Sequence, residues 1–171
     1  MTKHYIIPIF VPHFGCPHDC VFCNQKKITG LSTNITPKDV EAIIIKYLEY
    51  FDKDAFIEVA FYGGSFTAID KDIQSQLLEV PYKFKKNGLI NEIRLSTRPD
   101  SINKEILVNL KKFEVNTIEL GVQSIDKDVL LASERGHTSA DVYYTSKMIK
   151  ESGFNLGLQM MIGLPKDSLR S

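Results

Sequence analysis

Ala55-Phe56-Ile57-Glu58-Val59-Ala60-Phe61-Tyr62-Gly63-Gly64-Ser65 decides the fold. A short apolar run closed by a glycine pair predicts a buried strand over Ala55 to Tyr62. What lies on either side settles its setting. Downstream, Asp70 to Leu78 predicts a helix that Pro81 bends or ends, because proline lacks the amide and clashes with the preceding turn. Upstream, Thr36 is a natural N-cap, Pro37 suits a first helical position and Asp39 sits in the first turn. Val40, Ile43, Ile44, Tyr47, Leu48 and Phe51 then recur at helical spacing.

The same rhythm continues outward. Tyr5 to Val11 predicts a first strand, and the stretch from Pro12 to Ile35 is irregular. Glu92 to Ser96 predicts a strand, and Ile102 to Phe113 a helix with Ile106, Leu107, Leu110 and Phe113 inward. Val115 to Val122 is a strand, followed by helices near Asp126–Leu131 and Ser139–Ser152, the second stopped by Gly153. Phe154 to Ile162 is the fifth strand. Such alternation predicts an α/β fold with parallel strands and right-handed helical crossovers, either a doubly wound sheet or a curved partial barrel. In both, ligands gather at the C-terminal strand ends. The unusual residues stand there: the cysteine loop, Gly63-Gly64-Ser65, Thr97-Arg98-Pro99-Asp100, Gln123-Ser124 and Gly163. These segments are expected to form one site.

Length and composition fit one soluble domain: 171 residues, 43% hydrophobic and 25% charged. No apolar run is long enough for a bilayer, and the N-terminus has no signal-peptide pattern, so the cytoplasm is expected and no membrane partner. The formal net charge is zero, so bulk electrostatics announce no nucleic acid. Lys26-Lys27, Lys85-Lys86 and Lys111-Lys112 read as solvated ends.

All three cysteines, Cys16, Cys20 and Cys23, lie in Cys16-Pro17-His18-Asp19-Cys20-Val21-Phe22-Cys23. An odd, tight set in an unsecreted chain is a poor disulfide framework and a good metal site. A compact loop can wrap three corners of a four-iron cubane through thiolates, leaving one iron with open coordination. Zinc held by the cysteines with His13 or His18 is the alternative, although His18 would have to fold back. An incidental cluster of cysteines is the third reading.

The pattern Cys-x3-Cys-x-aromatic-Cys, with Phe22 before Cys23, resembles the signature of the radical S-adenosylmethionine (SAM) superfamily. The resemblance implies a 4Fe-4S cluster on Cys16, Cys20 and Cys23. SAM would chelate the open iron, and one electron would cleave it to methionine and a 5′-deoxyadenosyl radical that abstracts a substrate hydrogen. It also implies an electron donor such as flavodoxin or ferredoxin. Phe22 and Gly63, Gly64 and Ser65 resemble positions beside the cofactor, the glycines facing its amino group. Gln123 and Ser124 resemble the fourth-strand residues near ribose and methionine. Gln159 and Gly163 belong to the segment that flanks adenine. Arg98 and Arg135 are either surface cations or anion clamps on a carboxylate, and His137 could exchange protons. Glu119 either faces solvent or lies in a barrel lumen, where burial unpaired would be costly.

Tyr62-Gly63-Gly64-Ser65-Phe66-Thr67, Ser96-Thr97-Arg98-Pro99-Asp100, Glu119-Leu120-Gly121-Val122-Gln123-Ser124 and Arg135-Gly136-His137-Thr138 together look most like the radical domain of the Elongator catalytic subunit and its bacterial relatives. That resemblance implies modification of the tRNA wobble uridine, with tRNA engaged through a missing C-terminal region. Oxygen-independent coproporphyrinogen III oxidase is a more distant likeness. Nothing here resembles the downstream acetyltransferase domain. Residues 1–171 would form a radical SAM core with about five of six β/α units, its last helix and strand missing, leaving an exposed edge on the fifth strand.

Overall fold

The computed structural model describes residues 3–11, 18, 20–23 and 35–168. Five strands form one sheet in the order β1-β2-β3-β4-β5: β1 (His4–Val11), β2 (Phe56–Gly63), β3 (Glu92–Thr97), β4 (Thr117–Gln123) and β5 (Asn155–Met160). Every neighbouring pair is parallel. Helices fill the crossovers: α1 (Pro37–Leu48), α2 (Lys71–Lys86), α3 (Lys104–Lys112), α4 (Lys127–Ala132) and α5 (Ser139–Glu151).

Alternation along the strands sorts side chains onto two faces. Ile7, Ile9, Ile57, Val59, Phe61, Ile93, Leu95, Ile118 and Leu120 join Val40, Ile44, Leu77, Leu78, Leu107 and Leu110 of the helices in one buried core. Fully burying one such side chain contributes about 1.5–3 kcal/mol. The other face carries His4, Glu58, Tyr62, Arg94, Ser96, Glu119 and Gln159.

Local signals set the helix ends. Thr36 caps α1 in a reciprocal capping box with Asp39, and Thr138 does the same for α5 with Asp141. Gly153, at φ +78°, turns the chain after α5.

The expected end of α2 at Pro81 does not occur. The helix runs through it to Lys86. Proline removes one backbone bond at a cost of about 3 kcal/mol. Leu77, Leu78 and Pro81 are buried on this helix, and Tyr82 and Phe84 pack against the core beyond it. Their burial outweighs the lost bond.

Two of the lysine pairs stand at helix ends as expected: Lys86, Lys111 and Lys112 are exposed, and Lys85 is half-buried. Lys85 Nζ donates to Glu114 C=O at 2.8 Å and to Asn116 Oδ1 at 2.7 Å. Lys111 Nζ donates to Ser152 C=O at 2.6 Å and lies 4.9 Å from the Phe154 ring centre. Lys26-Lys27 lies outside the described residues.

Among the described residues β5 pairs with β4 alone, and Leu158 and Met160 are more than half exposed along it. Among the described residues the fifth strand thus has one unpaired edge, as expected. No helix among the described residues is long and apolar enough to cross a membrane.

Candidate cofactor site

The C-terminal strand ends converge on a cavity of about 130 Å³. Cys20, Phe22 and Cys23 line it from the first loop, Gly63, Gly64 and Ser65 from the end of β2, and Arg98 from the end of β3. Gln123 closes β4, Gln159 comes from β5, and Arg135 reaches in from the loop after α4. Cys16 lies outside the described residues. Ser124 and Gly163 stand outside the lining. The Ser124 hydroxyl accepts from Asp126 N–H at 3.1 Å, at the start of α4. Gly163 N–H donates to Asp167 Oδ2 at 2.6 Å.

Four lining residues were not singled out from the sequence as cofactor contacts: His18, Ser96, Thr97 and Gly121. The last three lie in strand-end segments already marked in the sequence, Ser96 to Asp100 and Glu119 to Ser124, and those segments were the signal for them.

The turn after β2 is shaped by Gly63. Its φ is +102°, and a Cβ there would lie 2.6 Å from Val11 C=O. Gly64 N–H donates to the same carbonyl at 3.1 Å. The last residue of β1, where the cysteine loop begins, is thereby tied to the glycine pair. Behind the glycines three buried hydroxyls converge. Thr97 Oγ1 lies 2.8 Å from Ser65 Oγ and 2.6 Å from Thr67 Oγ1, and Thr67 donates onward to Ser101 C=O. Arg98 N–H donates to Ser65 Oγ at 3.2 Å.

The two arginines are held by the protein itself. Arg98, 3% exposed, donates from Nε and Nη2 to the two oxygens of Asp100, both at 2.9 Å. Its Nη2 also donates to Arg135 C=O at 2.7 Å. Burial would raise the Asp100 carboxyl, but the bonds and charge of Arg98 win and hold it below the ordinary range. Arg135 donates from Nη1 to Cys20 Sγ at 3.6 Å and from Nη2 to Gly121 C=O.

Two further contacts join the loop around Arg135 to described residues of the cysteine loop. Val21 N–H donates to Ser133 C=O at 3.2 Å. A Cβ on Gly136 would collide with the His18 ring. His137 is buried next to these cations. Burial first, then the charges of Arg135 and Arg98, lower its pKa to about 4.

The polar face of the sheet leads away from this cavity. Arg94 Nη2 donates to both Glu58 oxygens, at 3.0 and 2.9 Å, and its Nη1 to Glu119 Oε1 at 2.7 Å. Ser96 Oγ donates to Glu119 Oε2 at 2.9 Å, and Gln159 Nε2 approaches the same oxygen at 3.4 Å. Glu119 is therefore paired and faces away from the helices.

The chemistry of the donors fits an iron-sulfur cluster. Two thiols open onto the cavity, and Arg135 Nε is buried there without a hydrogen-bond partner among the described residues. Gly121 leaves room where a Cβ would stand 3.0 Å from Arg135 Nη2. Among the described residues no three His, Cys, Asp or Glu side chains are grouped to hold a metal.

Residues 10–171 match the family model of the radical SAM superfamily. The chain belongs to that superfamily. Its members are enzymes that use a 4Fe-4S cluster and SAM. The chain is 26% identical over 159 residues to the heme chaperone HemW of Bacillus subtilis (strain 168), covering 91% of this chain and 42% of that one. It is 25% identical over 204 aligned residues to a tRNA uridine(34) acetyltransferase of Methanocaldococcus infernus, covering 96% and 38%. Among solved structures, archaeal Elp3 of Methanocaldococcus infernus superposes with a TM-score of 0.71 at 21% identity, over 99% of this chain and 40% of the other. That likeness is one of fold, the partial barrel of the radical SAM type. The chain spans about two-fifths of the length of the curated relatives it matches.

Proposed function

We propose that Cys16, Cys20 and Cys23 hold a 4Fe-4S cluster, and that the chain binds SAM in the cavity beside it. The observation that carries this reading is convergence. Cys20 and Cys23 open onto the same cavity as Gly63, Gly64, Gln123 and Gln159, which arrive from three different strands. When bound, the cluster supplies the electron that cleaves SAM to methionine and a 5′-deoxyadenosyl radical, which abstracts a hydrogen atom from a substrate. The protein's part is to bind, orient and exclude water. The glycine turn lets backbone approach the cofactor amino group. Gln123 and Gln159 offer amide groups at the rim, and Phe22 an apolar wall. Ser124 and Gly163 contribute as supports of the β4 and β5 ends.

Residues 1–171 act as a radical SAM core, and the substrate class we favour is the wobble uridine of tRNA. The Thr97-Arg98-Pro99-Asp100 segment and the uridine-modifying relative support it. Binding of tRNA would need surface beyond this core. A flavodoxin or ferredoxin supplies the electron. Free thiolate ligands suit a reducing compartment, the cytoplasm.

Anaerobic reconstitution with iron and sulfide tests the site. About four irons per chain and 5′-deoxyadenosine after dithionite and SAM are expected. A colourless protein with one zinc overturns the reading. Replacing any one of Cys16, Cys20 or Cys23 by Ala is expected to abolish stable cluster binding.

A further inference from the structure

Arg135 is placed unlike a surface cation. It is 8% exposed, and both terminal nitrogens are engaged inside the cavity wall, one on Cys20 Sγ at 3.6 Å and one on Gly121 C=O. Two further contacts fix it. Its own carbonyl accepts from Arg98 Nη2 at 2.7 Å, and Arg98 is held in turn by Asp100. Ser133 C=O accepts from Val21 N–H at 3.2 Å, so the segment carrying Arg135 is hydrogen-bonded to the residue next to Cys20. Gly121 lacks the Cβ that would press on Nη2. A charged donor is thus delivered to one sulfur, and that sulfur is 4% exposed at residue level.

We propose that Arg135 sets the reduction potential of the cluster by donating a charged hydrogen bond to the sulfur of Cys20. The inference rests on the cluster assignment made above. Its physics is direct. One-electron reduction adds a negative charge to the cluster and its thiolates. Hydrogen bonds to those sulfurs and nearby positive charge stabilise the more negative state, so the potential rises. The interaction is strong because both residues are buried and the donor is always charged. Arginine suits the task because its planar fork reaches a sulfur and a carbonyl at once; a lysine ammonium could serve one of them in good geometry. No proton is transferred and no bond is made or broken. The electron comes from the reductant already required by the proposed reaction.

The test is an EPR-monitored redox titration of the anaerobically reconstituted full chain without SAM. Wild type, Arg135→Gln and Arg135→Lys are compared, with iron and sulfide counted for each. At the wild-type midpoint, Arg135→Gln is expected to show a reduced-to-oxidised ratio at least tenfold lower. That corresponds to a midpoint about 59 mV more negative for a one-electron couple. Arg135→Lys is expected to fall at least threefold, between the two. A merely structural role would change cluster content and leave the midpoint of the clusters that form unmoved. Equal midpoints in wild type and in whichever variant assembles a cluster overturn this inference alone. Failure of the wild-type chain to form any cubane overturns it together with the cluster assignment.

Discussion

Arg94 and Glu58 form a bifurcated pair: one guanidinium nitrogen donates to both carboxylate oxygens, His4 Nε2 lies 2.9 Å from one of them, and the Glu58 side chain is 2% exposed. Deleting one partner of a buried pair leaves an uncompensated charge, a loss of about 3–5 kcal/mol. Arg94→Met is expected at the low end, about 3 kcal/mol, because its own side chain is partly open to solvent. Urea unfolding reads this as a lower midpoint at constant m-value. Adding Glu58→Gln should recover a large part of it. If the double variant is no more stable than Arg94→Met, the stranded carboxylate is not the cause.

Thr97 joins Ser65 and Thr67 behind the glycine turn. Thr97→Val keeps the shape and deletes the hydroxyl, so two buried oxygens each lose a partner. A cost of about 2 kcal/mol follows. Thr97→Ser keeps the bonds and loses one methyl, for about 1 kcal/mol. Thermal unfolding of both variants checks the order, and the reverse order would refute the hydroxyl hub.

Gly63 combines φ +102° with a carbonyl where a Cβ would stand. Gly63→Ala is expected to cost about 2 kcal/mol through strain in the turn. It should also lower iron uptake on reconstitution, because Val11, against which the new methyl presses, leads into the cysteine loop. Wild-type iron content together with unchanged stability would show that the turn adapts freely.

His137 makes stability depend on pH. Its folded pKa is about 4, while an unfolded histidine titrates near 6.5. Between those values the unfolded chain binds a proton that the folded chain refuses. Stability therefore falls as pH drops from about 6.5 to about 4, by up to about 3 kcal/mol. Asp100, which faces the same ring, works against the shift, as the arginines work for it. Urea midpoints at pH 7 and 4.5 in wild type and His137→Phe measure the effect. An equal pH dependence in both would remove His137 as its source.

The strands and most helix ends were legible because their signals are local. Thr36 announced α1, and Gly153 the end of α5. The converging strand ends followed from alternation alone, and they brought Cys20, Gly63, Gln123 and Gln159 to one cavity. What was not legible depends on register or on distant partners. Ser96 opposes Glu119 only because β3 and β4 pair as they do, and no spacing in the sequence reveals the Arg94 network. Pro81 misled because a local breaker was outweighed by burial of the residues around it. Arg98 was expected at the site from its strand-end position, but its bond to the Arg135 carbonyl thirty-seven residues away could not be read from either segment.

The register shift between Gly121 and Gln123, where β4 meets β5, has a mechanical consequence. Gln123 takes φ +69° there, a torsion that most side chains resist. A bulge re-aims the residues beyond it without disturbing those before it. The rim of β4 is thus geared independently of its lower half. Exchanges at the tip can redirect an amide while Leu120 and Glu119 keep their opposite faces. Removing one residue below the shift would instead turn that half over and drive a carboxylate into the oil beneath the helices.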